Sequence, residues 1–119
     1  DETRAIQLDP KNADAYATRG GAYSKKGDWD KAIAEETEAI RLSPEHAYAY
    51  FSRGEAFLKK GELDKAIADE TEAVRLKPEY PITYYTRGLA YQKNGDSAKA
   101  ESDFERAKQL GYQSKSTAK

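Results

Sequence analysis

The chain reads EETEAIRLSP at Glu35–Pro44 and DETEAVRLKP at Asp69–Pro78, and DETRAIQLDP opens it at Asp1–Pro10. The three copies start about 34 residues apart, a period diagnostic of stacked repeats. A chain with this period is a row of equivalent supersecondary units, none of which buries its apolar side alone. Its function then lies on the surface that the stack exposes.

Outward from these copies, fixed rows appear at the same step. Gly20, Gly54 and Gly88 form one row, and Gly27, Gly61 and Gly95 another. Tyr16, Tyr50 and Tyr84 align, as do Tyr23, Phe57 and Tyr91. Ala32, Ala66 and Ala100 align, and so do Ala39, Ala73 and Ala107. Between Ala13 and Lys26, Tyr16, Gly20 and Tyr23 recur at three- and four-residue steps, the spacing of one helix face. Gly27 supplies a left-handed C-terminal cap, and Asp28 is placed to accept backbone N–H bonds as the next helix begins. That second helix turns Ala32, Ile33, Ala39, Ile40 and Leu42 inward, and Pro44 closes the unit because it lacks an N–H. The small residues Gly20 and Ala32 let the two helices approach closely.

These rows resemble the tetratricopeptide repeat, whose pattern is W-x2-L-G-x2-Y, A-x3-F, P. Tyr16, Gly20, Tyr23, Ala32 and Pro44 meet it once; Tyr50, Gly54, Phe57, Ala66 and Pro78 meet it again. Tyr84, Gly88, Tyr91, Ala100 and Phe104 meet it a third time without the closing proline. The resemblance implies an all-α, right-handed superhelical solenoid of antiparallel helix pairs, about seven helices in all. It implies a partial repeat at 1–12 (second helix only), repeats at 13–46, 47–80 and 81–112, and a polar tail at 113–119. A chain that opens inside a repeat is expected to be a piece of a longer protein.

Two departures from the pattern stand together. Arg19, Arg53 and Arg87 replace the leucine before the glycine, and Glu2, Glu36 and Glu70 replace the late aromatic. Each Glu precedes an Arg by a constant 17 residues, which suggests ion pairs from one unit to the next: Glu2–Arg19, Glu36–Arg53 and Glu70–Arg87. Pairing within a unit, Arg19–Glu35, Arg53–Asp69 and Arg87–Asp103, competes with this, and a guanidinium has donors enough for both. The third alternative leaves the Glu residues facing water.

In the family that the chain resembles, the first helix of each pair lines a concave groove where ligands lie. Carried over row by row, the groove would present Tyr48, Phe51, Glu55, Leu58, Ile82, Tyr85, Leu89 and Gln92, with Lys59 and Lys93 beside Lys25 at one edge. These positions vary between units while the core rows hardly change. The first unit shows the small Ala17, Thr18, Gly21 and Ser24; the other two show large apolar side chains. Clustered exposed aromatics mark an interaction surface, and the expected partner is a protein or peptide with an apolar or amphipathic segment. One subset of the family grips a carboxylate with Lys and Asn in this groove; the corresponding rows here hold neither.

The remaining totals exclude other classes. A net charge of −1 offers no general attraction to nucleic acid or to an anionic membrane. No apolar run reaches the roughly 18 residues of a membrane span, so a soluble protein is expected, with the cytoplasm as its compartment. The chain has no Cys, and its one histidine, His46, falls in a turn where exposure to solvent is expected. Neither a catalytic set, nor a metal site, nor a cofactor motif is present, so we expect no enzyme and no cofactor. Glu35, Glu36 and Glu38 are expected to face water along one helix, and Trp29 to pack locally beside the interhelix turn. The leading expectation is a non-enzymatic scaffold that binds a segment of a partner in its groove. The alternative is a self-assembling module, a homo-oligomer built through apolar end faces at Phe104 and Tyr112.

Overall fold

Left-handed glycines set the helix boundaries. Gly27, Gly61 and Gly95 have φ of 77°, 81° and 87°, and a Cβ built on any of them would meet nothing, so the row is explained by backbone conformation alone. Around Gly27, the amide of Asp28 donates to the Tyr23 carbonyl at 2.9 Å, and the same closure recurs from Glu62 to Phe57 and from Asp96 to Tyr91. The computed structural model describes residues 2–9 and 11–112. Pro10 and the tail 113–119, both given roles by the sequence, lie outside the described residues, as does Asp1.

Seven helices follow in order: α1 Glu2–Leu8, α2 Ala13–Lys25, α3 Trp29–Leu42, α4 Ala47–Lys59, α5 Leu63–Leu76, α6 Pro81–Lys93 and α7 Ser97–Gln109. No strand occurs among the described residues. Helices α2 and α3, α4 and α5, and α6 and α7 pack as pairs, and each pair touches only its neighbours, over extents of 45 × 27 × 26 Å. Helix α2 also touches α4, and α4 touches α6, whereas α3, α5 and α7 do not meet one another. The first helices therefore crowd together on the inner side and the second helices splay apart on the outer side. This puts the concave face on α2, α4 and α6.

Small residues make the packing possible. Ala32, Ala39, Ala49, Ala56, Ala66 and Ala90 are fully buried. The Gly20, Gly54 and Gly88 row lies where the second helix of the pair crosses. An added Cβ would collide with the Glu36 carboxyl at Gly20, lie 2.5 Å from Glu70 Oε2 at Gly54, and lie 2.6 Å from the Phe104 ring at Gly88. The Tyr50 and Tyr84 hydroxyls reach back to donate to the Pro44 and Pro78 carbonyls at 3.1 and 3.0 Å, pinning each first helix to the turn before it.

Several expectations are corrected here. Asp28 makes no side-chain cap on α3; its carboxylate instead lies 3.7 Å from Lys31. His46 is not a free turn residue. It caps α4, its Nδ1 accepting from the Ala49 amide at 3.2 Å while Nε2–H, 2.8 Å away, donates to Asp14 on α2. The end face beside α7 is mixed rather than apolar. Tyr112 stacks on Tyr85 with centroids 4.4 Å apart, Phe104 packs on Tyr85 at 5.4 Å, and Glu101, Glu105 and Lys108 border what remains.

Candidate functional site

The arginine rows define how the groove is braced. Arg53 Nε and Nη2 donate to both oxygens of Asp69 at 2.8 and 2.9 Å, and Arg87 does the same to Asp103 at 2.8 Å through each nitrogen. Arg19 reaches both oxygens of Glu35 through Nη2 alone, at 2.8 Å, and its buried Nε has no partner. The longer Glu side chain displaces the carboxylate from the two-nitrogen fork that Asp accepts. Each arginine also donates Nη1 backward to a threonine of the preceding helix: Arg53 to Thr37 at 3.1 Å, Arg87 to Thr71 at 3.3 Å and Arg19 to Thr3 at 3.5 Å. The link between units thus runs through Arg and Thr. The proposed Glu2–Arg19, Glu36–Arg53 and Glu70–Arg87 ion pairs are not formed among the described residues.

Glu36 and Glu70 do not face water either. Both side chains are fully buried, and none of their carboxyl oxygens has a hydrogen-bond partner. They take the position over the glycine row that Phe104 fills in the last pair. Burial pushes the Glu36 carboxyl up to about 8; the nearby Ser52 hydroxyl and Arg53 charge oppose this without reversing it, and Glu35 adds to it. Burial likewise holds Glu70 well above the ordinary carboxylate range, with Asp69 and Glu55 adding to the effect. At neutral pH Glu36 is therefore mostly a neutral acid filling an aromatic's place, and Glu70 is shifted in the same direction. Of the two glutamates beside Glu36 on α3, Glu35 is held by Arg19, and Glu38 is paired with Arg41 at the surface.

The concave face divides the predicted groove residues into three groups. Tyr48 and Ile82 are exposed, at 48% and 41%, and with the half-buried Phe51 they line a cavity of about 480 Å³ between the starts of α4 and α6 and the end of α5. Leu58 and Leu89 are instead structural: Leu58 is buried against Ala66 and Ala90, and Leu89 packs on that cluster. Tyr85 is held between Phe104 and Tyr112. Leu58 and Leu89 lie where α4 and α6 pack together against α5, whereas Tyr48 and Ile82 stand at the N-terminal ends of those two helices. Gln92, Lys59 and Lys93 are exposed at the far ends of α4 and α6, and Glu55 is half-buried between the two groups.

Several cavity residues escaped sequence reasoning, and Tyr80 and Lys77 are the exposed ones with large side chains. Tyr80, 52% exposed, and Lys77 complete the rim. The signal was present in the row Asn12, His46 and Tyr80, which precede α2, α4 and α6. Asn12 and His46 accept a helix amide, but a tyrosine at that place makes no cap, and its ring stays available to the cavity. No cluster of three or more His, Cys, Asp or Glu able to hold a metal ion occurs among the described residues, and no helix among them is long and apolar enough to cross a membrane.

An all-α stack of helix pairs with a grooved inner face is the architecture of helical-repeat proteins. The sequence signature of the tetratricopeptide repeat matches residues 3–47, 18–81 and 82–110, and the chain belongs to that family. Among solved structures, MamA is similar at 30% identity and a TM-score of 0.83 over 92% of this chain; the chain spans 64% of that MamA chain. The Arabidopsis OM64 TPR domain is 31% identical with a TM-score of 0.83, covering 87% of this chain and 85% of its own. The second TPR domain of Spaghetti (RPAP3), solved with the HSP90 peptide SRMEEVD, is 30% identical with a TM-score of 0.81, covering 90% and 98%. No curated protein sequence matches the chain.

Proposed function

We propose that the chain is a non-enzymatic scaffold that captures an apolar or amphipathic segment of a partner protein on its concave face. The observation that carries this reading is the cavity between α4 and α6. Tyr48, Tyr80 and Ile82 are the exposed large hydrophobic side chains among the described residues, and all three line that one cavity. Exposed apolar side chains gathered around a concavity, and not scattered, are what a recognition surface requires. The cavity holds one or two large side chains of an incoming segment. The RPAP3 domain was solved with a peptide, which supports the same use of the fold here.

The replacement Tyr48→Ala with Ile82→Ala tests this. Both side chains are exposed, so helicity and Tm should stay close to those of the parent. Selection of random displayed peptides on the parent should yield binders that the double variant no longer retains, by about tenfold or more. Binders held equally by both proteins place the site elsewhere.

A further inference from the structure

Beside the apolar cavity lies a second, smaller hollow of about 170 Å³, and Tyr48 borders both. The hollow is formed where α2 and α4 meet. Gly21 opens it: the Tyr48 hydroxyl occupies the space a Cβ would need, which lies 2.5 Å from that oxygen. Trp29, at the start of α3, and Tyr48 supply aromatic surface, while Ser24, Ser52 and Glu55 supply polar groups. The Ser24 hydroxyl is buried and has no hydrogen-bond partner.

Glu55 is the unusual member. The row that contains it reads Gly21, Glu55 and Leu89, so only the middle pair places a charge there. Glu35, Asp69 and Asp103 each have an arginine. Glu55 takes part in no ion pair among the described residues, although Lys59 lies one turn on and stabilises its charge from a distance. Burial raises its carboxyl above the ordinary range despite Lys59. A half-buried carboxylate outside any ion pair is one whose charged form an incoming cation stabilises. Lys25 also borders the hollow, but it is exposed at the end of α2, and its stem lets the ammonium stay in water.

We infer that this hollow receives a basic side chain, Lys or Arg, from the same segment whose apolar side chain enters the Tyr48–Ile82 cavity. The inference rests on the groove reading above and specifies its partner. The cation meets the Glu55 carboxylate and lies against the rings of Trp29 and Tyr48, an arrangement that suits a guanidinium best. Because Tyr48 separates the two hollows, the apolar and basic side chains flank one ring. In a helical segment they stand three or four residues apart.

A library of random 12-residue displayed peptides, selected separately on the parent, on Glu55→Gln and on Glu55→Lys, tests this. The parent should enrich peptides with Arg or Lys at a fixed short spacing from an apolar residue. Glu55→Gln should lose the basic preference and keep the apolar one, and Glu55→Lys should turn it toward Asp or Glu. Circular dichroism checks that each variant folds, and the isosteric Gln variant suffices if the Lys variant does not. A selected peptide made with Arg and with citrulline should differ about tenfold in affinity for the parent and not for Glu55→Gln, read by the emission of Trp29, the single tryptophan. Equal basic content from parent and Glu55→Gln overturns the subsite, as does enrichment of acidic residues on the parent, which assigns the hollow to Lys25. If binders depend on Tyr48 and Ile82 but not on charge at 55, the groove stands and the subsite falls. If nothing is enriched on the parent, both fall.

Discussion

A difference of one methylene separates the first arginine clamp from the other two. Asp69 and Asp103 accept the two-nitrogen fork of Arg53 and Arg87, whereas Glu35 takes only Nη2 of Arg19 and leaves Nε bare. The hydrogen bonds that Arg53 and Arg87 donate to Asp69 and Asp103 raise the affinity of each guanidinium for its proton, against a smaller effect of burial. Asp69 is 6% exposed, so removing its arginine strands a buried charge. We expect Arg53→Ala to cost about 3–5 kcal/mol, as other broken buried pairs do. In double-mutant cycles by urea unfolding, Arg53 should couple to Asp69 by about 1–3 kcal/mol and to Thr37 by less. Coupling to Glu36 as large as that to Asp69 would restore the Glu–Arg ladder and contradict the geometry.

At the scale of the helix pair, one row of glycines works by conformation and the other by closeness. Gly61 is needed for its φ of 81°, while Gly88 is needed because α7 brings Phe104 against α6. The identity of what lies over the close-approach row differs between pairs: a carboxyl at Gly20 and Gly54, a ring at Gly88. A ring fixed by Tyr85 gives way less readily than the end of a flexible side chain. Gly88→Ala gains about 1 kcal/mol of helix propensity but should lose more to overpacking, for a net destabilisation of about 1–2 kcal/mol. The check is the Tm of Gly88→Ala against that of the parent; an unchanged or higher Tm would mean that α7 can withdraw. Helix identity was legible in the sequence at this scale, since the 34-residue rows carry the caps and the small residues. The capping details were not. Asp28 and His46 are both capping-competent by type, and only the surrounding helices decided that the histidine caps and the aspartate does not.

Across the whole molecule, the buried acids make stability uneven along the stack. Folded Glu36 holds its proton up to about pH 8, whereas the unfolded chain releases it near its ordinary value of 4.5. Between those values the folded state binds more protons, so stability falls as pH rises. The contribution is fully present below 4.5 and is lost as pH passes through about 8; Glu70 acts in the same direction. Phe104 carries no proton, so α6 and α7 lack this sensitivity at their own crossing. Urea unfolding should therefore show lower stability at pH 8 than at pH 6, and Glu36→Gln should flatten part of that slope. Hydrogen exchange, corrected for intrinsic rates, should show α2–α5 losing protection with pH more than α7, as nearest-neighbour stacking allows. A flat pH profile from 5 to 8 would show that the carboxyls find water or a partner in solution.

The sequence by itself determined the architecture, because one period of 34 residues repeats the caps, the small residues and the apolar rows at every turn of the stack. It also named Tyr48, Phe51 and Ile82, since positions that vary within a repeating frame are the ones packing does not dictate. Only the tertiary structure decided which carboxylate each arginine takes, because the two candidates lie on different helices, one before and one after the arginine's own: for Arg53 on α4, Glu36 is on α3 and Asp69 on α5. It alone separated Leu58, Leu89 and Tyr85 from the open surface, and it alone placed Tyr80 and Glu55 beside Tyr48. Those assignments depend on where neighbouring helices cross, a distance that no spacing within one chain segment records.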